Sequence, residues 1–145
     1  ANQIYHVSMP KPFRLAEQYL IRAEAYCQKN DFSKAGNDLS TLRKMRYKSG
    51  GTINVTKDNW LQTISDERLR ELYMEGFRLH DLKRWGKEYA DLNGGYSIRR
   101  TPQSCSQPEG SSLKIEADNP LFVWPIPQHE LEAPGSEILP NESNR

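Results

Sequence analysis

The chain is short of the residues that most often carry chemistry. It has two cysteines and three histidines in 145 residues. Cys27 and Cys105 have no CxxC spacing, which argues against a thiolate zinc site. His6, His80 and His129 form no HxxxH or HExxH pattern, so the sequence offers no metal set. There is no GxSxG elbow, and no Gly-rich phosphate loop. Gly50-Gly51 and Gly94-Gly95 read as turns. No apolar run approaches the roughly 18 residues of a membrane span. The opening Ala1-Asn2-Gln3-Ile4-Tyr5-His6 has neither a basic start nor an apolar signal core, and no initiator Met, so a processed, trimmed or longer parent chain is expected.

Charge is balanced in sum and uneven in place. The net charge is +1. Residues 1–60 hold ten Lys/Arg against five Asp/Glu, 61–100 eight against seven, and 101–145 two against seven. A nucleic-acid footprint needs clustered basic residues interleaved with aromatics. Arg43, Lys44, Arg46 and Lys48 come nearest. They fall at a helix end, where cations meet the negative end of the dipole. Nucleic acid is therefore not an expected partner.

What is present is helical periodicity. Ala16, Tyr19, Leu20, Ala23 and Cys27 make one stripe of a helix over 13–29, so Cys27 reads as buried packing and not as half of a disulfide with Cys105. Asn30-Asp31 breaks that helix. Asp31 or Ser33 caps the next, over 33–47, with Ala35, Leu39 and Leu42 inward and Ser49-Gly50-Gly51 as its stop. Tyr19, Ala23, Tyr26, Phe32, Ala35 and Leu39 resemble the large and small positions of a tetratricopeptide hairpin. One such hairpin cannot bury its own face, and no second copy occurs.

Thr56 or Asp58 is expected to start a third helix carrying Trp60, Leu61, Ile64, Leu69, Leu72 and Tyr73. Gly76 marks a break or a close backbone approach. A fourth helix spans 77–87, with Gly86 as its end. Residues 93–120 read as a surface loop. Leu121-Phe122-Val123-Trp124 reads as a short extended run before Pro125-Ile126-Pro127. Gln128–Leu131 makes one helical turn, and a tail follows. Trp60, Trp85 and Trp124, each among apolar neighbours, are expected in the core. The predicted fold class is all-α: the hairpin at 13–47, a charged helix pair at 57–87, a loop at 93–120, and an extended segment and tail at 121–145. Residues 1–145 make a single domain or the C-terminal fragment of a larger protein.

The charge-dense stretch 66–86 poses the functional question. Glu67, Glu71 and Glu75 share a helix face, and His80 and Asp81 follow, a combination that acid/base chemistry could use. Against this, Glu67–Arg70, Arg68–Glu71, Glu75–Arg78, Arg78–Asp81 and Asp81–Arg84 are opposite-sign pairs at i, i+3. Each stabilises a helix by ~0.2–0.5 kcal/mol. These residues read as scaffold, and the protein as no enzyme.

Three motifs in order carry a resemblance. They are Arg14-Leu15-Ala16-Glu17 with Leu20-Ile21-Arg22-Ala23-Glu24-Ala25-Tyr26; Glu67-Arg68, Arg70-Glu71-Leu72, Glu75-Gly76-Phe77-Arg78 and Asp81-Leu82-Lys83-Arg84-Trp85-Gly86; and Trp124-Pro125-Ile126-Pro127 with Glu130-Leu131. Over about 13–131 the chain resembles the carboxy-terminal region of SusD/RagB-like proteins. The tail departs from that family's closing Asn-Pro-Gly-Tyr, and Leu79 stands where an aromatic is common. The resemblance implies an α-α superhelix and a lipid-anchored protein on the outer face of the outer membrane. It implies an oligosaccharide or peptide ligand and a TonB-dependent transporter as partner. It implies no cofactor and no catalysis, and places the lipid anchor outside this chain. It carries over no binding residue. A sugar ring stacks its C–H face on an exposed aromatic with polar neighbours. Tyr96 with Arg99 and Arg100 is the candidate, with packing of Tyr96 onto the body as its alternative. The rival reading of the whole chain is a free-standing tetratricopeptide-like module that grips a peptide.

Overall fold

The computed structural model describes residues 13–49, 51–99 and 114–144. The chain is mostly helical, in two compact units that divide between Gly76 and Phe77.

In the first unit, α1 (Leu15–Gln28) packs on α2 (Phe32–Lys44) and on α3 (Trp60–Glu71). The α1–α2 hairpin forms as its periodicity dictates. Ala23 and Ala35 are wholly buried, as are Leu20 and Leu39, so small side chains lie where the helices approach and leucines fill the space beside them. Tyr19, Tyr26 and Phe32 flank the seam half-buried. Asp31 caps α2, its carboxylate accepting from the Lys34 amide at 3.3 Å. Arg22 adds a two-pronged bond across the hairpin to Asp38, at 2.7 and 2.8 Å. Cys27 is a buried free thiol whose pKa burial pushes up to about 11.

The helix ends depart from expectation. α2 stops at Lys44, short of the glycine pair. α3 starts at Trp60, with neither Thr56 nor Asp58 as its cap. The Asn59 side chain precedes it and is turned backwards, accepting from the Thr56 amide and donating to the Asn54 carbonyl. It braces the incoming loop and leaves the helix amides alone. Beyond Glu71 the backbone leaves the helix, and Met74 (φ 65°) and Gly76 (φ 83°) take left-handed conformations. Tyr73 therefore lies exposed.

Gly36 organises that loop. It is buried mid-helix, and a Cβ there would sit 2.9 Å from the Ile53 carbonyl oxygen. Ser40, one turn on, donates to the Gly36 carbonyl at 2.6 Å and accepts from the Ile53 amide at 3.0 Å. The missing side chain lets residues 53–55 lie against α2, with Val55 buried.

In the second unit, α4 (Phe77–Leu92) runs past the stop expected at Gly86. Gly86 is non-helical (φ 51°, ψ −128°), and the helix kinks there and resumes. Leu82, Trp85, Tyr89 and Ala90 are its buried face. The long loop contains a two-residue antiparallel ladder, β1 (Ile98–Arg99) with β2 (Lys114–Ile115), pairing Ile98 with Ile115 and Arg99 with Lys114. The apolar run near 121 is a 3-10 turn over Pro120–Phe122 and not an extended strand. α5 (Gln128–Leu131) is the single turn foreseen. The tail closes in a second 3-10 turn, Glu142–Asn144, which packs on the first.

The tryptophans divide. Trp85 is buried, Trp60 half-buried, and Trp124 80% exposed, against the expectation of core. Phe122 is the aromatic that the 3-10 turn points inward; the bend after it and Pro125 carry Trp124 outward.

Replacing Gly36 by Ala should lower stability by about 1–2 kcal/mol, because the added methyl displaces the Ile53 carbonyl. Ala is otherwise better than Gly in a helix by about 1 kcal/mol. Urea denaturation of the variant checks the sign, and a gain in stability would contradict the close approach.

Candidate functional site

The carboxylates of α3 are the densest chemistry in the chain. Glu67 and Glu71 lie one turn apart, with side chains 5% and 9% exposed. A carboxylate that far from water must be paired and hydrogen-bonded. Both are. Glu67 Oε1 accepts from Nε and Nη2 of Arg43, on α2, and from Nη1 of Arg70 at 2.6 Å. Glu71 accepts at both oxygens from Arg46, at 2.7 and 2.9 Å, and at Oε1 from Arg14, at 2.8 Å. Arg14 precedes α1 and also donates to the Glu71 carbonyl at 2.7 Å and to the Glu75 carboxylate at 2.6 and 3.2 Å. The planar guanidinium fork matches two oxygens at once, which a lysine cannot do.

This network ties three segments together: the lead-in to α1, the end of α2, and α3. Among the expected local pairs, Glu67–Arg70 and Asp81–Arg84 are present. Glu71 pairs with Arg14 and Arg46. Arg43 and Arg46, read from sequence as cations at a helix end, are partners for α3. Chain periodicity reports neighbours three and four residues away, and these partners lie 24, 25 and 57 residues away.

The geometry leaves little acid/base capacity in Glu71. Hydrogen bonds from Arg46, and then from Arg14, hold its carboxyl below the ordinary carboxylate range, against the opposing effect of burial. It is a poor proton acceptor near neutral pH. His80 is exposed on α4.

In the second unit, Arg78 donates to the Tyr89 hydroxyl at 2.8 Å, and its guanidinium lies 5.2 Å from that ring and 6.0 Å from Trp85. Arg84 lies 4.7 Å over Trp85. Aromatic faces attract guanidinium cations, so these arginines brace the helix core.

The sugar-stacking candidate is placed in part. Tyr96 is half-buried, its carbonyl held by the Asn93 side-chain amide at 2.8 Å. Arg99 is exposed on β1, and Arg100 lies outside the described residues. The ladder brings Lys114 beside them, its ammonium 5.4 Å from the Tyr96 ring centre. Lys114 was missed from sequence, since no periodicity marks a two-residue ladder.

Glu71 titrates lower in the folded chain than in the unfolded one. Its ion pairs therefore contribute in full above the unfolded value and are lost as pH falls through the folded one. Stability should drop on acidification below about pH 4. The Glu71→Gln variant should be less stable at neutral pH and lose less on acidification. Denaturant titrations across that range check it; parallel pH curves would contradict it.

Comparison with known proteins adds what geometry cannot. A model of the SusD family matches residues 3–136. The starch-binding protein SusD of Bacteroides thetaiotaomicron is 42% identical over 74 residues, which is 51% of this chain and 12% of that protein. The chain thus matches only a small part of that relative's length. No solved structure matches the chain significantly. The family match covers almost the whole described helical scaffold, and the chain belongs to the SusD family.

Proposed function

We propose that this chain is the scaffold part of a nutrient-binding lipoprotein of the bacterial cell surface. In this reading the protein captures oligosaccharide at the outer membrane and leaves it unaltered. It then passes the ligand to a TonB-dependent transporter. The observation that carries the reading is the family match over residues 3–136, reinforced by 42% identity to a starch-binding protein.

Two physical features support a scaffold role. Glu67 and Glu71 of α3 each hold a neighbouring segment through arginine. Phe13, Leu15, Trp124 and Leu139 are each more than two-thirds exposed, which suits a chain that spans a small share of its relative and packs against the remainder. Tyr96 and Arg99 stay as contact candidates for sugar, with Lys114 now beside them. The alternative, a tetratricopeptide-like module that grips a peptide, draws on a hollow of about 280 Å3 along α1 between Leu15, Gln18, Tyr19, Ile21 and Arg22.

Calorimetry of the full-length protein against maltoheptaose, cellohexaose, xylohexaose, mannohexaose and a set of peptides separates the two. Binding of at least one oligosaccharide, with no product on prolonged incubation, is the expected result. Binding of peptides alone would favour the rival, and cleavage of a bound glycan would overturn the non-catalytic reading.

A further inference from the structure

A second hollow lies at the ends of α2 and α3, with a volume of about 270 Å3. That is just under the usual lower size of a small-molecule pocket, and suits a single small ring. Arg43, Arg46, Tyr47, Glu67, Arg70 and Glu71 line it. The charged pairs described above form its wall, and those pairs do not use every polar atom they contain.

Arg43 and Arg46 each spend Nε and Nη2 on a carboxylate, which leaves Nη1 of each without a hydrogen bond among the described residues. Glu67 accepts three bonds, all at Oε1. Its Oε2 accepts none among the described residues, on a side chain 95% buried. Tyr47 is half-exposed, and its hydroxyl makes no hydrogen bond among the described residues. Its backbone is fixed, the amide donating to the Arg43 carbonyl at 2.9 Å. The wall thus offers fixed donors, a fixed acceptor and an aromatic face.

That mixture selects a ligand class. An anion would find the guanidinium edges but also the spare oxygen of Glu67. A cation would find that oxygen but also three arginines. A sugar hydroxyl both donates and accepts, so vicinal hydroxyls satisfy both kinds of group without net charge. The C–H face of the ring then lies on Tyr47.

We propose that the Tyr47 hollow is a subsite for one ring of a neutral oligosaccharide, with Tyr47 as stacking face and the outer edges of Arg43 and Arg46 and the free oxygen of Glu67 as hydroxyl partners. The proposal rests on the glycan-binding reading and gives it a place in this chain, separate from the Tyr96 loop. Because the ion pairs are made before the ligand arrives, the site is preorganised and binding orders few side chains.

Hydrogen–deuterium exchange of the full-length protein with maltoheptaose, cellohexaose, xylohexaose and mannohexaose tests it. The glycan that binds should slow exchange across residues 43–47 and 67–71. Tyr47→Ala should raise the concentration needed for half-protection there about tenfold, and leave the melting temperature unchanged, since the side chain is half-exposed. Tyr47→Phe should keep most of the protection. A glycan that binds with no protection at 43–47, or with protection indifferent to Tyr47→Ala, overturns the subsite and leaves the glycan-binding reading standing. Binding of none of the four overturns both.

Discussion

Two carboxylates removed from water, Glu67 and Glu71, constrain everything around them. An ionised group with so little solvent contact is tolerable only when cations are brought to it and held. α3 itself supplies Arg70 to Glu67, and other cations come from elsewhere: Arg43 and Arg46 at the end of α2, and Arg14 ahead of α1. The pairs therefore specify how the segments lie against one another. Leu20, Leu39 and Ile64 fill the interior, but apolar contact is non-directional and does not choose a register by itself. The bidentate bonds supply the direction.

The same constraint makes Glu71 a poor general base. A general base needs a free, suitably basic oxygen. Glu71 has both oxygens engaged by arginines, and its proton affinity is lowered by them. Charge density on a helix is thus a poor guide to chemistry until the partners are known. A cluster that is crowded in sequence turns out to be neutralised in space, and only its outer edges face the solvent.

The sequence made the helical hairpin legible because small and large side chains recur at fixed spacing. Ala23, Ala35 and Leu39 fell where the pattern put them, and Asp31 capped as its chemistry allows. The i, i+3 pairs Glu67–Arg70 and Asp81–Arg84 were legible for the same reason. The partners that matter most were not, since nothing in local spacing ties Arg14 to a residue 57 positions away. Gly36 was missed because its role depends on a loop folding back over it. Trp124 was placed in the core from its apolar neighbours, and the bend that turns it outward is set by prolines and by Phe122. The sugar candidates Tyr96, Arg99 and Arg100 were chosen by residue type alone, and Lys114 comes beside Tyr96 and Arg99 only through a ladder too short to leave a pattern. Family membership was legible because it resides in ordered motifs, and those motifs are mostly the scaffold residues described here.

Arginine–carboxylate pairs lock helix to helix. A double-mutant cycle on Arg43→Ala and Glu67→Gln, read by urea denaturation, tests this most directly. A coupling energy of about 1 kcal/mol or more between the two positions is expected, with each single variant destabilised. Coupling near zero, with stability indifferent to the loss of Glu67, would contradict it.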